Sequence, residues 1–487
     1  MGSTTATATP TPRTSLDAGS TVQGTHSPMA SDSNKEATTV CKENLSPSES
    51  EKSRSPKTRR QSAMGIIQLL SLSGCLFNLG WNDGTPGPML PRLQEVGFAV
   101  VSLVFVMSCT GFITGAVVNV LITDRFGMGK IMAAGTILQI IAYSVQTSAP
   151  PFPAFVAMNF LNGMGLALQD AQANGYVGSL AENLETKMGV IHCVYGLGAF
   201  ASALVSTQFS QMERWSFHYL VSLGLAILNS LSVMLVFRFR RQEDNLKAAG
   251  EIVTEANEGA TSFKTIMASK TVHVLAFFLF VYVGLEIAIG GWITTFIIEV
   301  RGGGPSSGYI ATGYFGALAV GRVILLPVNA LVGLGLSIVG ERWVVYLYGL
   351  LTLGYASPTP STHSNITPHL TLPYLPHSLE FVVWFVPSLV GNGIAVAFMG
   401  LFMAPMYPLA MNQASRVLPS YILTGAIGWI AAFGQAGSAI VPFMAGAIAQ
   451  KHGISSLHPV SVAMIGALMV LWFLAPNQAR SSLAGGL

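Results

Sequence analysis

Three acidic side chains stand in stretches whose neighbours belong in hydrocarbon. Asp83 follows Asn82 in Leu76-Phe-Asn-Leu-Gly-Trp-Asn-Asp-Gly-Thr-Pro-Gly-Pro-Met-Leu-Pro91, the far half of the first strongly apolar run. Asp170 lies in Gly165-Leu-Ala-Leu-Gln-Asp-Ala-Gln-Ala-Asn174, and Glu286 lies between Tyr282 and Gly290. A carboxylate at the centre of a bilayer costs about 2.5–3.5 kcal/mol even on insertion scales, so it is kept only where it faces a partner or a water-filled cavity. The glycines and prolines after Asp83 loosen a helix, which is tolerated at membrane depth where backbone lines protein or a cavity. Asp170 and Asn174 are four residues apart and share a helix face. A carboxylate beside a carboxamide can bind a hydroxylated solute and also take a proton.

The polar neighbours divide by cost. Gln169 and Gln172 read as hydrogen-bonding groups that hold helices together, worth about 0.6 kcal/mol per contact. Glu286 is open to three roles: proton carrier, salt-bridge partner or cavity liner. Arg322 is placed nearer the inner surface by residue count, so it is expected to snorkel there and not to pair with Glu286. Trp292, Trp384 and Trp429 read as packing or interface residues, and His192 as a buried or interfacial histidine. The cysteines, Cys41, Cys75, Cys109 and Cys193, have neither a disulfide pattern nor metal-ligand spacing. No metal and no cofactor is expected. No nucleophile elbow, phosphate-cradling loop or paired ligand set is present, which points away from a membrane-embedded enzyme.

The elements that must hold these residues are membrane spans. Of 487 residues 51% are apolar and only 10% charged, against about 25% charged in a soluble domain. Repeated apolar runs of about 20 residues define an all-α, polytopic membrane protein. Spans are predicted near 64–86, 98–122, 131–149, 152–179, 188–208, 217–237, 272–298, 307–332, 388–411, 422–448 and 459–476, with an irregular ninth between the eighth and tenth. Arg125, Lys130, Lys187, Arg238, Arg240, Arg241, Lys247, Lys264, Lys270, Arg342 and Arg416 fall on one side of this arrangement. Only Arg92, Arg214, Arg301 and Lys451 fall on the other. That asymmetry puts both termini in the cytoplasm and requires an even number of spans, twelve.

Residues 1–62 are Ser, Thr, Pro and charge, and are expected to be a disordered cytoplasmic tail. A charged break at 238–271, in which short interfacial helices are expected, separates a six-helix half at 63–237 from another at 272–478, with 479–487 as a second tail. Weak echoes between the fourth and tenth spans, and between the first and seventh, suit two pseudo-symmetric halves with a site between them at mid-depth. In the ninth span, apolar runs from Arg342 to Gly354 and from Glu380 to Pro387 are too short singly but together reach the required length. The Pro-rich polar stretch 355–379 between them cannot lie in lipid. It reads as a translated intron or an insertion; the rival is an outer loop bearing the Asn365-Ile-Thr glycosylation sequon.

The connection between spans two and three, Gly115-Ala-Val-Val-Asn-Val-Leu-Ile-Thr-Asp-Arg-Phe-Gly-Met-Gly-Lys130, makes a tight charged turn of Asp124, Arg125, Gly127 and Lys130. In that position it resembles the signature loop of the major facilitator superfamily, and the resemblance covers roughly 62–478. Within the superfamily the chain looks most like the fucose-permease branch, especially its fungal members. The matching residues are the Asn82-Asp83 pair, Gly163-Met-Gly165 before Asp170 and Ala173-Asn174, Gly284-Leu-Glu286 leading to Gly291-Trp292, and Pro405-Met-Tyr-Pro408. Asp170 stands where the permease has Glu, and His192 and Tyr195 stand where it has amides. The resemblance implies proton coupling and sugar recognition at Asp83 and Asp170, and a gating role for Asp124 in its loop. The expected function is secondary active transport of a small polar solute with protons by alternating access. A transporter-derived nutrient sensor and an exporter of a non-sugar metabolite are the alternatives. The expected partners are that solute, the proton and the lipid bilayer, with no nucleic acid, in a monomer. The expected location is the plasma membrane, with an internal membrane such as the vacuole as the alternative.

Overall fold

The computed structural model describes residues 57–93, 97–180, 182–251, 263–335, 341–353 and 379–476. Every regular element among them is helical. The first set is α1 (Arg59–Gly84), α2 (Pro86–Leu93), α3 (Phe98–Val101), α4 (Leu103–Phe126), α5 (Met128–Thr147), α6 (Phe152–Gly178), α7 (Leu184–Ser210) and α8 (His218–Phe237). Two short helices, α9 (Gln242–Ala248) and α10 (Phe263–Ala268), follow in the charged break. The second set is α11 (Lys270–Arg301), α12 (Gly308–Gly335), α13 (Glu341–Leu353), α14 (Leu379–Phe385), α15 (Leu389–Met403), α16 (Met406–Val417), α17 (Ser420–His452) and α18 (Leu457–Leu474).

Nine helical stretches among the described residues are long and apolar enough to cross a membrane. The 27-residue α6 is not among them. Its Asn159, Asn162, Gln169, Asp170, Gln172 and Asn174 dilute its apolar character, and these same residues make it interesting. Leu121, Leu228, Leu235 and Phe473 are each more than 60% exposed, an arrangement that suits helices facing lipid.

The first helix starts at Arg59, upstream of the expected tail boundary at 62. Thr58 and Gln61 form a capping box: the Thr58 hydroxyl accepts from the Gln61 N–H, and the Gln61 side chain accepts from the Thr58 N–H at 2.9 Å. Lys57 then donates to Glu251 at 2.7 Å and Glu182 at 3.1 Å. Burial alone pushes the Lys57 ammonium down, but the two carboxylates outweigh it and hold it above the usual lysine value. The stretch after α8 folds back on this corner, with Gln68 donating to the Asn245 carbonyl at 3.0 Å.

Past Asp83 the chain stays helical except for a break at Thr85, whose hydroxyl turns back to the Trp81 carbonyl at 2.8 Å. Pro86 takes the first position of α2, where no N–H is needed. The glycines serve close approach more than looseness. A Cβ on Gly80 would collide with the Tyr195 carbonyl, one on Gly84 with the Ala199 carbonyl and one on Gly87 with the Gly290 carbonyl. Gly84→Val is therefore expected to force α1 and α7 apart, destabilising the fold by about 1–3 kcal/mol or more. Thermal unfolding in detergent checks this; an unchanged midpoint would contradict the packing.

α1 lies along α7 and α8, α4 and α5 along α6, and α5 along α8. In the second set α11 lies along α17 and α18, α12 and α13 along α15, and α13 along α18. The sets meet where α7 packs on α12 and α4 on α17. Residues 354–378 of the irregular span lie outside the described residues. Its flanks, α13 and α14, pack on the same two neighbours, α15 and α18. Glu380 on α14 pairs with His458 at 3.0 Å, both nearly fully buried, and Arg301 donates to the Val383 and Trp384 carbonyls at 2.8 Å.

Candidate functional site

A small polar cavity lies among α1, α2, α4, α6, α11 and α17, lined by Asn82, Asp83, Asn159, Cys109, Gln435 and Ser438 among others. Asp83 is half-buried on its wall. One carboxylate oxygen accepts from the Tyr195 hydroxyl at 2.8 Å and the other from Asn82 Nδ2 at 3.1 Å. Asn82 Oδ1 in turn accepts from Asn162 at 2.6 Å. Behind this, Gln139 donates to Asn162 at 3.4 Å, Gln169 donates to Gln139 at 2.6 Å, and Asn229 donates to Gln169 at 2.7 Å. Asp83 thus stands on the cavity side of a hydrogen-bonded chain crossing α1, α5, α6, α7 and α8.

Asp170 and Asn174 do share a face: Asn174 Nδ2 donates to Asp170 Oδ1 at 2.8 Å and to the Asp170 carbonyl at 3.1 Å. Asp83 lies within electrostatic reach of Asp170, but the two carboxylates do not touch. Gln169 and Gln172 hold helices together as expected, Gln172 through Asn119 at 2.6 Å and Thr123 at 3.0 Å.

The expectation for Arg322 is overturned. Its Nη2 meets Glu286 Oε1 at 3.2 Å and Oε2 at 3.3 Å, with side chains 7% and 3% exposed. The reason is depth. From Arg301 back to Glu286 is fifteen residues along α11, and from Gly308 forward to Arg322 is fourteen along α12. At 1.5 Å per residue both sit roughly 21–23 Å from the same end of the bundle. Of the three roles open to Glu286, the geometry supports the salt-bridge partner. The Arg322 guanidinium also lies 5.2 Å from the centre of the Tyr195 ring. His192 and Tyr407 face each other at 5.3 Å, and Tyr282 and Tyr407 at 6.4 Å.

In the loop between α4 and α5, Gly127 has φ +77° and a Cβ there would press on Arg241, so both conformation and space call for glycine. The neighbouring Gly129 N–H donates to the Arg240 carbonyl at 3.0 Å. Arg125 and Lys130 are exposed, Arg125 over the Phe126 ring at 5.5 Å. The Asp124 side chain lies outside the described residues. Asn162, Tyr195 and Arg322 touch Asn82, Asp83 and Glu286 respectively and are not among the site residues expected from the sequence. Their signal was present in part: an amide on the face of α6 already rich in amides, and a tyrosine where the resembling family has an amide.

A bundle of apolar helices around a polar cavity with buried carboxylates is the architecture of a membrane transporter. The family model of the Major Facilitator Superfamily matches residues 70–375, and the chain belongs to that superfamily. It is 26% identical over 435 residues to Bypass of stop codon protein 6 of Saccharomyces cerevisiae, covering 84% of this chain and 82% of that one. It is 21% identical over 383 residues to the glucose/mannose transporter GlcP of Bacillus subtilis, covering 76% and 85%. Among solved structures, a variant of the E. coli fucose:proton symporter FucP shares the fold, with a TM-score of 0.56 at 14% identity, covering 86% of this chain and all of that one.

Proposed function

We propose that the protein is a secondary active transporter that carries a small, uncharged, hydroxylated solute, sugar-like in chemistry, together with protons. One observation carries the reading: among the described residues neither Asp83, on the cavity wall, nor Asp170, on α6, has an ion-pair partner, whereas Glu286 has Arg322. A buried carboxylate without a cation is costly, and a proton removes that cost. Protonation then lets the cavity dehydrate and the helix sets rock, while deprotonation holds it hydrated. Asn82, Asn159 and Gln435 on the cavity wall offer donors and acceptors suited to hydroxyl groups.

Alternating access of two six-helix halves, 63–237 and 272–478, joined by the linker 238–271, supplies the movement. The parallel between the two sets of helix pairings supports this division. Close contacts of Gly87 with Gly290 and of Gly308 with Thr207 support a state closed at the end opposite the start of α1. The bias of Lys and Arg supports cytoplasmic termini, and Arg125, Gly127 and Lys130, with Asp124, are the proposed gate on that side. The relatives named for glucose, mannose and fucose transport make sugars the first solutes to try.

The test is proton movement in proteoliposomes on adding 6-deoxy sugars or hexoses. External alkalinisation as solute enters supports the reading. Solute binding without flux moves it to a nutrient sensor, and flux with no proton movement removes the coupling.

The ninth span is proposed to be α13 joined to α14, with 355–379 an insertion. Deleting 355–379 is expected to leave expression and thermal unfolding unchanged or improved, read by size-exclusion profile and melting midpoint. Aggregation of the shortened chain would make the segment structural.

A further inference from the structure

We infer that Tyr195 is a positioning residue that transmits the proton state of Asp83 to the Glu286–Arg322 pair across the α7–α12 interface. The inference rests on the proposed proton coupling and deepens it. The hydroxyl of Tyr195 donates to Asp83 at 2.8 Å, while its ring carries the Arg322 guanidinium at 5.2 Å. Arg322 is in turn held to α11 through Glu286 and reaches back to α7, donating to the His192 carbonyl at 3.4 Å. One side chain therefore touches the proton site with one end and the charge of the opposite helix set with the other.

The physical link is polarisation. An O–H donating to a carboxylate makes the phenol ring more electron-rich, and hydrogen-bonded chains strengthen one another in this way. A richer ring binds a cation more strongly, and the cation–π contact is worth most where it is desolvated. Ionised Asp83 thus tightens α7 onto α12. A proton on Asp83 weakens the hydrogen bond, the ring loses that polarisation, and the joint loosens. The titratable or charged groups facing Asp83 are Tyr195 on α7, Tyr143 on α5, Asp170 on α6, Glu286 on α11 and, across the cavity, Cys109 on α4, with Arg322 on α12 beyond Tyr195. Tyr195 alone among them bonds to both Asp83 and the far set.

The test needs no identified solute. Spin labels at Thr186, at the start of α7, and Ser415, near the end of α16, both exposed, report the separation of the two sets by pulsed electron resonance. The wild-type chain in nanodiscs is expected to change its distance distribution between mildly acidic and mildly alkaline buffer. Tyr195→Phe keeps the ring and removes the hydroxyl, and is expected to lose that pH response. Asp83→Asn is expected to lose it as well. Adding Tyr195→Phe to Asp83→Asn is expected to change nothing more, because both act on one link; a merely structural tyrosine would add its own effect. A Tyr195→Phe chain that responds like wild type overturns the inference and leaves proton coupling standing. A wild-type chain with no pH response overturns both.

Discussion

Asp83→Asn is expected to abolish solute accumulation driven by a pH gradient while exchange of labelled for unlabelled solute continues. Asparagine resembles the protonated acid in size and neutrality, and its carbonyl oxygen still accepts from Tyr195. Steps that need an uncharged site therefore proceed, and the step that releases a proton is missing. The size of the effect follows from the driving force. One pH unit is worth about 1.4 kcal/mol per proton, which sustains at most about tenfold accumulation at one proton per solute. In the variant the ratio should fall to about one under the same gradient. The measurement is uptake of a 6-deoxy sugar or hexose into proteoliposomes with and without an imposed gradient, beside counterflow in the same vesicles. Full uphill uptake in Asp83→Asn would remove the residue from coupling. Loss of counterflow as well would mean that the side chain binds solute.

The polarity pattern made most of this site readable, and depth made the rest unreadable. Asp83, Asp170 and Glu286 announce themselves because a charge in an apolar run has few explanations. Asp170 and Asn174 were placed on one face by helical spacing alone, and their hydrogen bond follows from it. Arg322 defeated the same reasoning, because assigning depth requires knowing where two separate helices begin and end. A few residues of error at the α11–α12 connection moved it from mid-depth partner to surface snorkeller. Tyr195 was visible only as a departure from a related family, since a tyrosine in a membrane span is ordinary. Its importance lies in touching Asp83 and Arg322 at once, a tertiary fact with no local periodicity. The glycines of the first span misled in a subtler way: the same residues that loosen a lone helix allow backbones to touch in a packed one.

Replacing Arg322 by methionine, with a similar apolar stem and no charge, is expected to destabilise the fold by about 3–5 kcal/mol, since it strands Glu286 in the interior. Glu286→Gln strands Arg322 and is expected to cost a similar amount. The double variant Glu286→Gln, Arg322→Met removes both charges and should recover most of the loss, because a buried ion pair often adds little net stability over neutral groups of similar size. Thermal unfolding and monodisperse yield of the four chains give the coupling energy directly. Additive single effects would mean that water already screens the pair. Transport then separates two roles that stability alone confounds. If the pair only filled space, the rescued double variant would accumulate solute like wild type. If Arg322 receives the state of Asp83 through Tyr195, the double variant will be folded, able to exchange solute, and unable to accumulate it. Stability restored without coupling is the outcome this geometry demands.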